Sequence, residues 1–180
     1  MQTREKILVT ARQLIEEKGA LNVTVSEIAA KIGLTHAAIY KHFADKQTLL
    51  ENIALSWLDN ILSDIFPFKT KKENPADIVH DWLFTLTTAK NHAYFESPEM
   101  FSLYTTFISQ NPVLESQHSE HLLDSLTKAS HINDKEQLKA ILQVFISFHH
   151  PAFAPYWKKQ FQPDFEAIWT LIAPSFTTKK

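Results

Sequence analysis

Between residues 24 and 46 the sequence gathers groups that can grip an anion or read a polar edge. These are the hydroxyls of Thr24, Thr35 and Tyr40, the imidazoles of His36 and His42, and the ammonium groups of Lys41 and Lys46. Thr24 and Thr35 stand where helix starts are expected, so each brings free backbone N–H groups to the same place as its hydroxyl. That combination suits a phosphate. Nowhere does the chain pair a nucleophile with a base, spell out a phosphate-binding glycine loop or set out a metal signature. The chemistry in view is noncovalent recognition; no catalytic residue and no cofactor is expected. His118 and His121, with Glu115 and Asp124, share one helix and are of metal-binding type. Structural zinc normally takes four defined ligands, and such mixtures are common on exposed helices, so no metal site is assigned.

The elements that must position these groups are all helical. Apolar residues recur at spacings of three and four, punctuated by capping residues and prolines, and no useful alternating strand pattern survives. Ile7, Leu8, Ala11, Leu14 and Ile15 form one face of a first helix, and Gly19 sits where a left-handed, helix-ending residue is wanted. Thr24-Val25-Ser26-Glu27 has capping-box form. Gly33 ends that second helix after about two turns, Thr35 caps a third, and Asp45 caps a fourth. In the fourth, Leu50, Ile53, Ala54, Trp57, Leu58, Ile61, Leu62 and Ile65 hold one stripe over about 20 residues, roughly 30 Å of helix. Residues 67–73 read as a polar linker. Asn74-Pro75, Ser97-Pro98 and Asn111-Pro112 mark further helix starts, and Asp134 caps another. The segment around His149-His150-Pro151 bends the chain, and a last helix starts near Pro163. About nine helices are expected.

Residues 24–46 also carry a specific spacing. Two short helices that cross steeply need a small residue where their backbones approach, which Ala29 supplies. They need a tight turn, which Gly33 supplies without a Cβ clash, and apolar pins, which Ile28, Leu34 and Ile39 supply. A small residue, a glycine four later and an aliphatic residue six after that is helix-turn-helix spacing, in which the second helix enters the DNA major groove.

The block Ile28-Ala29-Ala30-Lys31-Ile32-Gly33-Leu34-Thr35, then Ile39-Tyr40-Lys41-His42-Phe43, then Asp45-Lys46 with Leu49-Leu50, resembles the DNA-binding domain of TetR-type regulators over about the first 50 residues. The resemblance implies that Tyr40 and Lys46 grip phosphates. It also implies that His36, Ala37, Ala38 and His42 face the groove or its edge, beside Lys41. Family members often carry Lys or Arg, Gly and Thr where His36-Ala37-Ala38 stand, so base reading here leans on thymine-methyl contacts and one imidazole. Read without the resemblance, Tyr40 is also compatible with a half-buried aromatic, and Lys31 and Lys41 with ordinary surface charges.

The resemblance further implies an N-terminal three-helix DNA-binding domain, residues 1–46. A long helix would join it to a helical ligand-binding and dimerisation domain, residues 47–180. The last two helices would form the dimer interface through Leu138, Ile141, Leu142, Phe145, Phe165, Ile168, Trp169 and Ile172. The body is rich in aromatic residues, most of them core by default. Trp57, Trp82, Tyr104 and Phe107, with His149 as a polar handle, are the candidate lining of an effector pocket. The expected partners are duplex DNA bearing an inverted repeat, a second copy of the chain, and a small apolar or aromatic effector. Two other readings are a body that docks a protein partner and a helical enzyme that uses its histidines; the missing catalytic signatures argue against the enzyme.

Composition bounds these expectations. The chain has 180 residues, 44% of them hydrophobic, with no cysteine and a net charge of −2. The charge is uneven. Residues 1–46 hold seven Lys/Arg against five acids, and the remainder eleven against fifteen. A mildly basic head on an acidic body is compatible with DNA binding, because affinity depends on local phosphate contacts. No stretch is apolar enough for a membrane span, and a cytoplasmic location is expected. Lys71-Lys72 and Lys179-Lys180 read as solvated charges.

Overall fold

A computed structural model describes residues 2–176; Lys179-Lys180 lie outside them. The described residues hold ten α-helices and no strand, only an isolated bridge between Ile65 and Phe68. None of these helices is long and apolar enough to cross a membrane. By packing, the chain divides into two units, Met1–Asn60 with Ser97–Glu115, and Ile61–Glu96 with Ser116–Lys180.

The first unit begins with α1 (Thr3–Lys18), whose face of Ile7, Leu8, Ala11, Leu14 and Ile15 is buried. Gly19 ends it with φ 80° and ψ 149°. The φ is positive as expected, but the ψ is extended rather than left-handed helical, because the chain leaves directly for a 3₁₀ turn at Ala20–Asn22. Next come α2 (Val25–Lys31) and α3 (His36–Tyr40). They are followed by α4 (Lys46–Ile61), which Asp45 caps by accepting from the Thr48 N–H at 2.6 Å. The helix stops at Ile61, short of the expected stripe. Leu62 and Ile65 are still buried, but in a turn closed by Ile65 and Phe66 N–H groups on the Leu62 carbonyl. Pro67 bars helical conformation only at Phe66, the residue before it; the stop at Ile61 comes earlier, in the turn itself. Also in this unit are α6 (Pro98–Tyr104) and the π turn Thr105–Ser109. Here Trp57, Phe101 and Tyr104 pack ring against ring, with centroids 5.7–6.5 Å apart.

The second unit is built on α5 (Pro75–Glu96), α7 (Pro112–Ser130) from residue 116 onward, α8 (Lys135–Val144), α9 (Ile146–His149) and α10 (Gln162–Ile172). A 3₁₀ segment, Pro151–Tyr156, makes the expected bend. All three capping-residue–proline pairs open helices. Asn74 accepts from Ala76 N–H and Asn111 from Val113 N–H, whereas Ser97 makes no side-chain cap. The interior is a cage of rings. Phe165, fully buried, lies 4.9 Å from Phe145 and 5.2 Å from Phe84, centroid to centroid. Lys72 is more than a solvated charge: it pairs with Asp81 at 3.1 Å.

Candidate nucleic-acid interface

The presentation of α3 starts with local hydrogen bonds. Thr24 Oγ1 accepts from the Glu27 N–H at 3.1 Å, and the Glu27 carboxylate accepts from the Thr24 N–H at 3.4 Å, completing the capping box of α2. At the other end of α2 the Ala29 carbonyl accepts from the Leu34 N–H at 2.8 Å, across a Gly33 with φ 71°. Only this backbone sign calls for glycine. A Cβ on Gly33 would meet nothing within 4 Å, so crowding is not the reason expected from the sequence. Thr35 Oγ1 then accepts from the Ala38 N–H at 3.2 Å and starts α3.

Apolar side chains fix the rotation of these helices. Val25, Ile28, Ala29, Ile39 and Phe43 are all at most 5% exposed, whereas Leu34 is only half-buried. With Ile39 turned inward, the opposite face of α3 is set outward. Thr24, Thr35, His36, Ala37, Lys41, His42 and Lys46 are exposed, and Ala38 and Tyr40 are half-buried. The His36 ring packs edge-on against Tyr40 at 4.9 Å. Arg4, from the start of α1, sits over the Phe43 ring at 5.1 Å and donates to the Asn52 side chain, bracing the end of the motif. Lys18 and Lys31 are paired with Glu27 and Glu17. Among the described residues Lys41 and Lys46 have no ion-pair partner. Two unpaired cations beside an exposed, capped helix start form a surface able to take phosphates and present a short helix to base edges.

A family profile described as "Bacterial regulatory proteins, tetR family" matches residues 7–53. Over those residues the chain is similar to that family. The transcriptional repressor BepR of Brucella suis is 44% identical over 52 residues, which are 29% of this chain and 25% of that relative. The nucleoid occlusion factor SlmA of Shewanella amazonensis is 34% identical over 62 residues, 34% of this chain and 32% of SlmA. This chain thus matches no more than a third of the length of these curated relatives. The negative transcriptional regulator of the Staphylococcus aureus biofilm operon, IcaR, is 23% identical over 174 residues, covering 92% of this chain and 88% of IcaR. Among solved structures, a TetR regulator from Rhodococcus sp. RHA1 has TM-score 0.64 at 18% identity, covering 98% of this chain and 96% of that one. BioQ, solved with its double-stranded DNA operator, has TM-score 0.57 at 19% identity, covering 96% and 99%. At these identities the likeness is one of fold.

The residues expected in the body are placed as follows. Trp57, Tyr104 and Phe107 belong to the first unit, and Trp82 and His149 to the second. Trp57, Trp82 and Tyr104 are at most 4% exposed and act as packing. Burial pushes the Tyr104 phenol well above its usual range. Trp82 Nε1–H donates to Ser125 at 3.1 Å, and His149 Nε2 lies 3.3 Å from the Leu142 carbonyl. The expected dimer set divides. Leu138, Ile141, Phe145 and Phe165 are buried within their own chain, whereas Leu142, Ile168, Trp169 and Ile172 are only half-buried. The reason is geometric: a helix against a core turns one stripe inward and leaves the adjoining one free. Leu171, not among the expected residues, is 79% exposed on that free side.

Sequence reasoning also missed a buried polar group in the second unit. Lys90 is 1% exposed and its ammonium donates to His118 Nε2 at 3.0 Å; Asn91 is 3% exposed and donates to the Lys158 carbonyl at 3.1 Å. Burial, and then the Lys90 charge, hold both His118 and His149 below the usual histidine range. The signal was present: Leu83, Leu86, Thr87 and Lys90 follow helical spacing, which puts a lysine on an apolar stripe. The other histidine read as a metal-binding candidate, His121, stacks on Phe66 at 4.0 Å, and Asp124 pairs with Lys135 at 3.1 Å.

Proposed function

We propose that this chain is a DNA-binding transcriptional regulator of the TetR type, a homodimeric repressor that holds an inverted-repeat operator and lets go when its body takes up a small, largely apolar effector. In this reading residues 1–46 read the DNA, and residues 47–180 carry dimerisation and sensing. The observation that carries it is the outward leading end of α3, with His36 and Ala37 exposed while Ile39 is 0% exposed. Thr24, Thr35, Tyr40, Lys41 and Lys46 would hold phosphates, and His36, Ala37, Ala38 and His42 would meet the groove. Repression is supported by BepR, named a repressor, and IcaR, named a negative regulator.

Dimerisation is supported by the half-buried Leu142, Ile168, Trp169 and Ile172 together with exposed Leu171. Apolar side chains left on two helices of one unit gain most by meeting a copy of themselves across a two-fold axis. An effector that reached Trp57, Trp82 or Tyr104 would have to displace core side chains, which directs attention to clefts already open in the body.

Selection of bound fragments from random duplex DNA tests the whole reading. Recovered sites should share an inverted repeat, with half-sites about one helical turn apart. Recovery of no common sequence, even at low ionic strength, would remove it.

A further inference from the structure

We infer that the cleft between the loop Phe66-Pro67-Phe68 and α7 binds a small carboxylate with a flat apolar body. Its regulatory consequence rests on the effector reading above; its ligand chemistry does not.

The cleft has a volume of about 280 Å³. That falls just under the ~300–1,000 Å³ of sites for drug-sized ligands, so the occupant has about one ring system. One wall is the apolar loop, and the other is a face of α7 that presents His121, Ser125 and Lys128. The Phe66 and His121 rings lie parallel, 4.0 Å apart and 8° from coplanar. These two rings use one face on each other and close that end of the cleft, so a planar guest would stack on an outer face of the pair.

The cleft is formed in advance. Trp82 Nε1–H donates to Ser125 Oγ at 3.1 Å, and that hydroxyl donates to the Ile65 carbonyl at 2.8 Å. The loop is thereby tied to α7 at Ile65, which also pairs with Phe68. A guest need not order the loop, so little affinity is lost to that cost.

Lys128 sets the charge of the guest. One helical turn earlier, Asp124 is its natural intrahelical partner; Asp124 forms its ion pair with Lys135 at 3.1 Å and feels the Lys128 charge only from farther away. Among the described residues Lys128 has no ion-pair partner. It also lines an adjoining cleft of about 540 Å³ whose rim carries Lys69, Glu73 and the Asp81-paired Lys72. Among the described residues Lys69 and Lys128 are the cations there without an ion pair, and unpaired cations draw anions. A cationic guest would be repelled, and a sugar would leave the apolar wall unused. A planar acid satisfies both walls.

Calorimetric titration of the full chain with benzoate, naphthoate and octanoate, each beside its primary amide, tests this. At least one aromatic acid should bind about tenfold tighter than its amide, the scale of a charge-assisted hydrogen bond. Lys128→Met should erase that preference while leaving amide affinity unchanged, and Lys128→Arg should keep it. Equal acid and amide affinities, absence of binding, or an unaltered Lys128→Met titration overturns the cleft assignment. Following operator release in the same samples separates the two claims. A compound that frees DNA equally from wild type and Lys128→Met leaves the effector reading standing and sinks the cleft. Acids that bind as described yet never free the DNA sink the effector reading alone.

Discussion

Residues 24–46 and the second unit treat polar side chains in opposite ways. Around α3, a small apolar pin centred on Ile39 turns Thr35, His36, Lys41 and Lys46 outward. In the second unit Lys90, Asn91 and His149 are turned inward, each at most 9% exposed. An outward polar group costs the fold almost nothing and is free to vary with its target. An inward one must find partners, because an unmet buried polar group costs about 1–3 kcal/mol. One region is therefore tuned for contact with something else, and the other is bound up with its own stability.

This contrast can be broken by experiment, and the largest effect should come from the body. Phe165→Ala removes a ring that touches Phe84, Phe145 and Phe148. It should lower unfolding free energy by about 3–5 kcal/mol in urea titrations; a loss under about 1 kcal/mol would mean the ring cage is not the core. Acid comes next. Burial, then the Lys90 charge, take His149 from an ordinary 6.5 down to about 3. The unfolded chain binds that proton first, so the contribution is whole above the unfolded value and disappears as pH falls from there toward 3. Between pH 7 and pH 5 His149 should cost about 2 kcal/mol of stability, and His118 acts in the same direction. His149→Gln should flatten this acid limb, and an unaltered slope would refute the assignment.

The two glycines give a smaller, sharper test in the first unit. Gly19 has φ 80° with ψ 149°, and a Cβ there would meet Glu99 Oε2 at 3.0 Å. Gly33 has φ 71° and open space. Gly19→Asn should cost about 1–3 kcal/mol, since that backbone region is nearly glycine-only, whereas Gly33→Asn should cost only a few tenths. Equal melting temperatures for the two variants would show the distinction to be false. Smallest of all for stability is Lys46→Ala, within about 0.5 kcal/mol. It should weaken DNA binding evenly across sequences and lower the salt slope by about one. A slope equal to wild type would take Lys46 off the phosphate.

Legibility from sequence follows the same division. Thr24, Gly33, Thr35 and Asp45 act through neighbours within five residues, so their spacing alone announces the turns they make. The end of α4 was misjudged because an apolar stripe continues through Leu62 and Ile65, which are buried in a turn rather than in the helix. Within the second unit, apolar spacing located the helices but not their partners. It gave Leu138 and Leu142 the same standing, although one is 0% exposed and the other is half-buried. Which of two adjoining stripes meets the core depends on helices distant in sequence, and so does the pairing of Lys90 with His118.

The brevity of α3 sets a limit on vocabulary. Its five residues span only about 7.5 Å at 1.5 Å per residue, against roughly 3.4 Å for each base-pair step. On the proposed reading, one copy of the chain would spell a word of about two or three base pairs, with Ala37 and Ala38 able to sense only a thymine methyl. Addressing one site in a genome would then require the word to be repeated at a fixed distance, or the intervening duplex to be chosen for how easily it bends.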